Sequence, residues 1–234
     1  MKFVIINADD FGYGDGVNRA IAELHDRGVV TSASLMVNTP GTTAAAALAA
    51  ARPHLSLGLH VNFTNEGELA VEFDDPEVCR RELRRQFDRF VALTGRLPTH
   101  LDSQHHIHRR RTCQASFLEL AEEHGLPLRD QQPVTFKGGF YGQWQHGVSE
   151  PAKVSFQALT QIVSTELTHG IYELAVHPGY YDEAAEYVYH RDRQWELETL
   201  SDPRLLGLLA GLDLRLISYH QLGHAVSLLD GAKP

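Results

Sequence analysis

The sequence is poor in cysteine and in positive charge. Only two cysteines, Cys79 and Cys113, occur among 234 residues. They form neither a disulfide framework nor a Cys-x-x-Cys pair, which is typical of a reducing compartment. Lysine and arginine number 21 against 30 acidic residues, so the formal net charge is −9. An acidic chain without a long basic tract is a poor candidate for binding nucleic acid or an anionic membrane surface.

The sequence also lacks a long apolar run. The apolar start of the chain is too short for a signal peptide and is followed at once by Asp9 and Asp10. Residues 28–51 carry no charge, but they contain Pro40, Gly41 and many hydroxyl and amide side chains, unlike a membrane span. We therefore expect a cytoplasmic protein that binds neither membrane nor nucleic acid.

The remaining composition is that of an ordinary globular protein. Hydrophobic residues make up 43% and charged residues 22%, which excludes a disordered chain, a collagen-like fibre and a coiled coil. Apolar patterning predicts strands over residues 2–7, 29–37, 55–63, 99–103, 126–129, 171–176 and 214–219. It predicts helices around 17–24, over 42–51, 76–93, 112–124 and 154–168, and from Asp202-Pro203 to Leu209. Alternating strands and helices indicate a mainly parallel sheet, either doubly wound or a small distorted barrel.

Histidine is unusually frequent, and the polar residues follow predicted strands. The chain has 14 histidines. Asp9 and Asp10 follow the first strand, His60 ends the third, residues 100–108 carry a histidine cluster, and His177 ends a later strand. Each feature alone has an ordinary explanation, such as a turn or a core histidine. Because parallel strands bring their carboxyl ends to one edge, the four together predict a metal or acid–base site there.

Several motifs together resemble those of the YdjC-like (ChbG/HpnK) carbohydrate deacetylase family, in order from Ile5 to about Tyr219. They are Asn7-Ala8-Asp9-Asp10-Phe11-Gly12, Val30-Thr31-Ser32, Leu35-Met36-Val37-Asn38, Gly58-Leu59-His60, Pro98-Thr99-His100-Leu101-Asp102-Ser103, Phe140-Tyr141-Gly142, His177-Pro178-Gly179 and Ile217-Ser218-Tyr219. The resemblance implies one domain over residues 1–234, an α/β fold. It would be a distorted (β/α) barrel of about seven mainly parallel strands, related to NodB-type polysaccharide deacetylases. It also implies a metal-dependent hydrolase that removes the acetyl group from an N-acetylated amino sugar or small oligosaccharide.

The resemblance also implies roles for individual residues. Asp10 and His60 would bind one divalent metal ion, Asp9 would be the general base, and His177 would be the general acid. An imidazole ligand favours Zn²⁺, whereas carboxylate and amide oxygens favour Mg²⁺ or Mn²⁺. Ligand chemistry therefore leaves Mg²⁺ and Zn²⁺ both open as the cofactor.

The sequence departs from the family pattern at Gln104, where a third histidine ligand is usual. Gln104 could coordinate the metal through its amide oxygen, or His105 or His106 could take that position. We otherwise assign His106 to substrate binding. We assign Tyr141 to it as well, because its aromatic loop, which includes Trp144, could stack on a sugar ring.

Two other functions stay open at this point. A phosphoesterase on the same barrel would be favoured by arginines near the metal, and Arg109, Arg110 and Arg111 follow the histidine cluster. A non-catalytic sugar- or metal-binding protein is suggested only by Gln104. The expected partner is an N-acetylated carbohydrate, and a homodimer is left open as the assembly.

Overall fold

Strands and helices alternate in the structure, a computed structural model that describes residues 1–64, 73–181 and 189–231. The strands are β1 (Lys2–Phe11), β2 (Ser32–Leu35), β3 (Ser56–Val61), β4 (Leu101–Ser103), β5 (Val134–Lys137), β6 (Gly170–Val176) and β7 (Leu214–Leu216). The helices are α1 (Asp15–Asp26), α2 (Thr42–Ala50), α3 (Pro76–Thr94), α4 (Gln114–His124), α5 (Phe156–Thr165), α6 (His190–Leu200), α7 (Leu205–Gly211) and α8 (Leu222–Asp230).

The seven strands form one parallel sheet, which confirms the predicted fold class. Its order is β4-β3-β2-β1-β6-β5, and β7 also pairs with β1. β1 pairs with β6 from Lys2 to Ala8. It also pairs with β7 from Lys2 to Val4 and with β2 from Asn7 to Phe11. The sheet curves into a half-barrel surrounded by helices. Because the strands are all parallel, their carboxyl ends lie at one edge of the sheet, where ligands bind in folds of this kind.

Two apolar clusters hold the helices against this sheet. The larger joins buried residues of β1–β4, β6 and β7 to α1–α7, and the smaller joins Phe3 and Ile5 of β1 to α8 through Leu222 and Ala225. Within the described ranges, no helix combines the length and apolarity needed to cross a membrane.

Local signals explain where the long helix α3 begins and ends. The Asp75 side chain accepts a hydrogen bond from the backbone N–H of Glu77, and Pro76 occupies the first turn, where its missing N–H costs no helical bond. Gly95 ends the helix with φ of 69°, a conformation that glycine adopts without strain. Both ends agree with the sequence pattern.

One predicted strand is wrong and two helices were not predicted. Residues 126–129 form only an isolated bridge between Leu128 and Leu101, because the chain turns at Asp130 with φ of 68° before a ladder can extend. The next strand is instead β5, paired with β6. The helices absent from the prediction are α6 and α8.

Candidate active site

Asp9 and Asp10 lie near the end of β1, where its pairing with β2 is irregular. The register shifts between Ala8 and Phe11, and Asp10 has φ of 66°, which is uncommon for a residue with a side chain. Adjacent side chains of a regular strand point to opposite faces, whereas such an irregularity re-aims one of them. Both carboxylates consequently line one cleft. Because β1 continues through Phe11, the pair lies within the strand. The prediction that the two residues follow the strand is wrong.

A cleft of about 610 Å³ opens at the carboxyl edge of the strands. The structure brings all the sequence-predicted site residues to it. They are Asp9, Asp10, His60, Gln104, His106, Tyr141 and His177. The four polar clusters predicted from the sequence therefore line the same cleft, although each comes from a different part of the fold.

His60 is the centre of the polar network in this cleft. Its Nδ1 lies 2.7 Å from Asp102 Oδ1, while its Nε2 lies 2.9 Å from Gln104 Oε1 and 3.3 Å from Asp10 Oδ1. Asp10 Oδ2 accepts a hydrogen bond from Arg193 Nη2 at 2.6 Å. Apart from its contact with His60, the buried Oδ1 makes no hydrogen bond with any described residue. A carboxylate oxygen, an imidazole nitrogen and an amide oxygen thus approach one another.

The charges of these groups are set by burial and by their neighbours. Burial raises the pKa of Asp10, but Arg193 and His60 outweigh it and hold that pKa well below its usual range. Burial lowers the pKa of His60, but the carboxylates of Asp102 and Asp10 outweigh it and raise that pKa well above its usual range. Asp10 is therefore ionised, as a metal ligand must be, and a metal ion bound at His60 Nε2 would replace the proton that these carboxylates stabilise on the ring.

A buried group of acidic and imidazole side chains could hold a divalent metal ion. Among the described residues, Asp9, His60 and Asp102 offer ligand atoms that lie within 4.8 Å of one another. Arg129 already donates to both oxygens of Asp9 and lies 2.7 Å from Asp102 Oδ2. The oxygen without such a competitor is Asp10 Oδ1, on the Nε2 side of His60.

Arg129 is a site residue that sequence reasoning missed. It is 1% exposed and donates from Nη1 and Nη2 to the two oxygens of Asp9, each at 2.7 Å, and from Nε to Glu173 Oε1 at 2.8 Å. Burial raises the pKa of Asp9, Arg129 lowers it, and the result lies below the usual value. The place of Arg129 at the end of the apolar segment 126–129 was the sequence signal that could have found it. An arginine buried there needs acidic partners.

His177 directly follows β6 and is held by Glu196 of α6. Glu196 Oε2 accepts a hydrogen bond from the His177 backbone N–H at 2.5 Å, and Oε1 lies 3.7 Å from His177 Nδ1. The other ring nitrogen, Nε2, lies 3.8 Å from Asp9 Oδ2. Burial lowers the pKa of His177, but the nearby Glu196 carboxylate outweighs it and raises that pKa. This environment favours the protonated imidazole.

The two histidines after Gln104 point to other partners. His105 Nδ1 lies 2.8 Å from Thr64 Oγ1, and the His106 ring packs edge-on against Phe136 with 5.3 Å between ring centroids. Both residues have positive φ, 49° and 53°, a strained conformation found at functional sites. It is Gln104 that lies beside His60.

The arginine run lies elsewhere. Arg109 forms an ion pair with Asp130, and Arg110 lies over the Phe73 ring with 5.9 Å to its centroid. Neither these two nor Arg111 is among the described residues that line the cleft. These three arginines therefore do not supply the anion-binding group that a phosphoesterase would need in the cleft.

Comparisons with known proteins find relatives in sequence and in fold. The model of the YdjC-like protein family matches residues 3–211. A carbohydrate deacetylase of Brevibacillus brevis is 34% identical, and the match covers 94% of this chain and 99% of the relative. A chitooligosaccharide deacetylase of Serratia marcescens is 33% identical with the same coverage. A crystal structure from Enterococcus faecalis, provisionally named for cellobiose-phosphate cleavage, matches in fold with a TM-score of 0.75 and 24% identity, over 94% of this chain and 98% of that one.

Proposed function

The chain belongs to the YdjC-like protein family, and from this premise we propose that it is a metal-dependent carbohydrate deacetylase. Its substrate is an N-acetylated amino sugar or small oligosaccharide, and the products are acetate and the free amine. The relatives' activity supports this reaction. The observation in this chain that carries it is the close approach of Asp10 Oδ1, Gln104 Oε1 and His60 Nε2, in one cleft with Asp9 and His177.

Asp10, His60 and Gln104 would hold the metal ion. Gln104 Oε1 and Asp10 Oδ1 lie 2.9 and 3.3 Å from His60 Nε2. A metal ion bound by these three atoms would replace the proton on His60 Nε2. Two oxygens suit Mg²⁺ and the imidazole suits Zn²⁺, so this donor set fits either ion. Asp102 orients the His60 ring through Nδ1, as the carboxylate partner of a metal-binding histidine commonly does. A bound divalent ion supplies Lewis acidity that polarises the amide carbonyl.

Asp9 is the proposed general base. Arg129 and Asn7 donate to its oxygens, which keeps the carboxylate ionised and aligned at the cleft. Each carboxylate oxygen has a second lone pair, so Asp9 can still accept a proton from the water that attacks the acetyl carbon. That proton transfer makes the water a stronger nucleophile.

His177 is the proposed general acid. An amine leaves poorly unless its nitrogen is protonated, and the raised pKa of His177 keeps a proton on the ring near neutral pH. Its side chain is 20% exposed, so the ring can reach a substrate in the cleft. The proton passes from His177 to the sugar nitrogen as the carbon–nitrogen bond breaks.

His106, Tyr141 and Trp144 are the proposed sugar contacts. Burial lowers the pKa of His106 to about 3, so its neutral ring offers both a donor and an acceptor to sugar hydroxyl groups. Its buried Nδ1 has no hydrogen-bond partner in the described part of the chain. Tyr141 lines the cleft and Trp144 is 62% exposed there, so both aromatic rings can pack on the apolar face of a sugar.

Metal titration combined with acetate release tests the proposal. Asp10→Asn and His60→Ala proteins should bind Mg²⁺ or Zn²⁺ far more weakly in calorimetry and release little acetate from N-acetylated sugars. Asp26→Asn is the matched control, because Asp26 is an exposed partner of Arg52, and it should resemble wild type. Full metal binding by both site variants would contradict the assigned ligands. No acetate release by metal-loaded wild type from any N-acetylated sugar would contradict the function.

A further inference from the structure

Tyr189, which immediately precedes α6, connects two parts of the cleft that are far apart in sequence. It is 6% exposed. Its hydroxyl donates to Glu196 Oε1 at 2.6 Å and accepts a hydrogen bond from the backbone N–H of Gly142 at 2.7 Å. Burial raises the pKa of Tyr189, and the Glu196 carboxylate raises it further. The hydroxyl therefore keeps its proton and remains a donor.

The Gly142 end of this connection belongs to the aromatic loop, residues 138–149. The ring of Tyr189 stacks on Tyr141 of this loop, with 4.5 Å between centroids and 11° between planes. Asp192 of α6 holds the loop as well, since its Oδ2 accepts hydrogen bonds from Gln143 at 2.7 Å and Ser149 at 2.8 Å. A Cβ on Gly142 would lie 2.6 Å from Asp192 Oδ1, so the loop backbone packs directly on the helix.

The other partner of Tyr189, Glu196, lies beside His177, the proposed general acid. Glu196 Oε1, the oxygen that accepts from Tyr189, is also the atom 3.7 Å from His177 Nδ1. Hydrogen bonds in a row polarise one another. The row here runs from the Gly142 N–H to the Tyr189 hydroxyl and on to Glu196, next to the imidazole.

We infer that Tyr189 is a positioning residue whose hydroxyl couples the seating of the aromatic loop to the orientation of His177. This inference rests on the proposed function, because it assumes that His177 protonates the leaving nitrogen. A sugar that packs on the loop holds Gly142 against Tyr189, and Tyr189 in turn holds Glu196 where it aligns the imidazole. The acid is therefore best aligned when the loop carries substrate.

Tyr189→Phe tests the hydroxyl while keeping the ring that stacks on Tyr141. We expect kcat for acetate release from an N-acetylated sugar to fall about 10- to 100-fold, a part of what general acid catalysis contributes. KM should change much less, because the Asp192 hydrogen bonds to the loop remain. Tyr172→Phe is the matched control: it removes another buried hydroxyl, bonded to Thr168, on β6 away from the cleft lining, and should keep wild-type kcat.

A double variant separates coupling from general loosening. If Tyr189 acts through Glu196, adding Tyr189→Phe to Glu196→Gln should lower kcat no further, whereas a purely structural role would make the two losses multiply. With an active wild type, three results would overturn the inference. They are a double variant whose loss of kcat is the product of the two single losses, a Tyr189→Phe protein with unchanged kcat, and a Tyr189→Phe protein in which only KM changes. An inactive wild type would instead overturn the proposed function, and the inference with it.

Discussion

Asp9 and Asp10 are neighbours in sequence, but their different partners separate their proposed roles. Asp9 is held on both oxygens by Arg129, whereas Asp10 keeps Oδ1 open beside His60. Asp9→Asn should therefore keep metal affinity near wild type while hydrolysis falls by about 10²–10⁴-fold, because an amide cannot take the proton of water. Calorimetry and acetate assays on the same preparation measure both quantities. Loss of metal from Asp9→Asn, or unchanged turnover, would contradict this separation.

Gln104 is the residue at which this chain departs from the family pattern. Its amide oxygen is a harder ligand than imidazole, so Gln104→His should bind Zn²⁺ more tightly while Mg²⁺ affinity gains little. His105→Gln and His106→Gln are the controls, because these rings face Thr64 and Phe136, and they should leave metal affinity unchanged. Metal titration of the three variants checks this. Loss of metal from either control would identify that histidine as the third ligand instead.

At the scale of elements, apolar periodicity predicted six of the eight helices in the described part of the chain and missed α6 and α8. The residues that α6 buries include Asp192, Arg193 and Glu196, so its inward face is largely charged and gives no hydrophobic stripe. Its polar side chains reach the cleft through contacts with Asp10, His177 and the aromatic loop. The polar residues at strand ends could be predicted because strand position alone brings them together. Their partners on α6 could not, because those contacts span long sequence separations.

The pairing of β6 with α6 predicts a pH effect on activity. Glu196 raises the pKa of His177, and activity should fall on the alkaline side as His177 loses its proton. Glu196→Gln removes the charge, lowers that pKa, and should move the alkaline limb of the kcat/KM profile to lower pH. Glu198→Gln, an exposed change on the same helix, should leave the profile in place. An unmoved limb in Glu196→Gln would mean that another group is the acid.

At the scale of the whole molecule, Arg129 joins β4 to β1 and β6, neither of which is adjacent to β4 in the sheet. Its partners are Asp9 on β1, Asp102 on β4 and Glu173 on β6, and β3 and β2 lie between β4 and β1 in the strand order. One guanidinium can reach all three only because the sheet curves into a half-barrel. The alternation of strands and helices left an open sheet and a small distorted barrel both possible, and the family resemblance predicted the barrel. The contacts of Arg129 could not be predicted, since no local signal encodes a contact across the concave side of the sheet.

Removing Arg129 should therefore destabilise the molecule as well as inactivate it. Arg129→Met would leave three buried carboxylates without their cation, and breaking a buried ion pair from one side costs about 3–5 kcal/mol of the free energy of unfolding. Arg52→Met is the matched control, because Arg52 pairs with Asp26, whose side chain is 54% exposed, and such a surface pair contributes only about 0–1 kcal/mol. Urea unfolding of the two variants measures the difference. Equal stability losses would show that the protein tolerates these carboxylates without Arg129, and that the half-barrel is held by its apolar core alone.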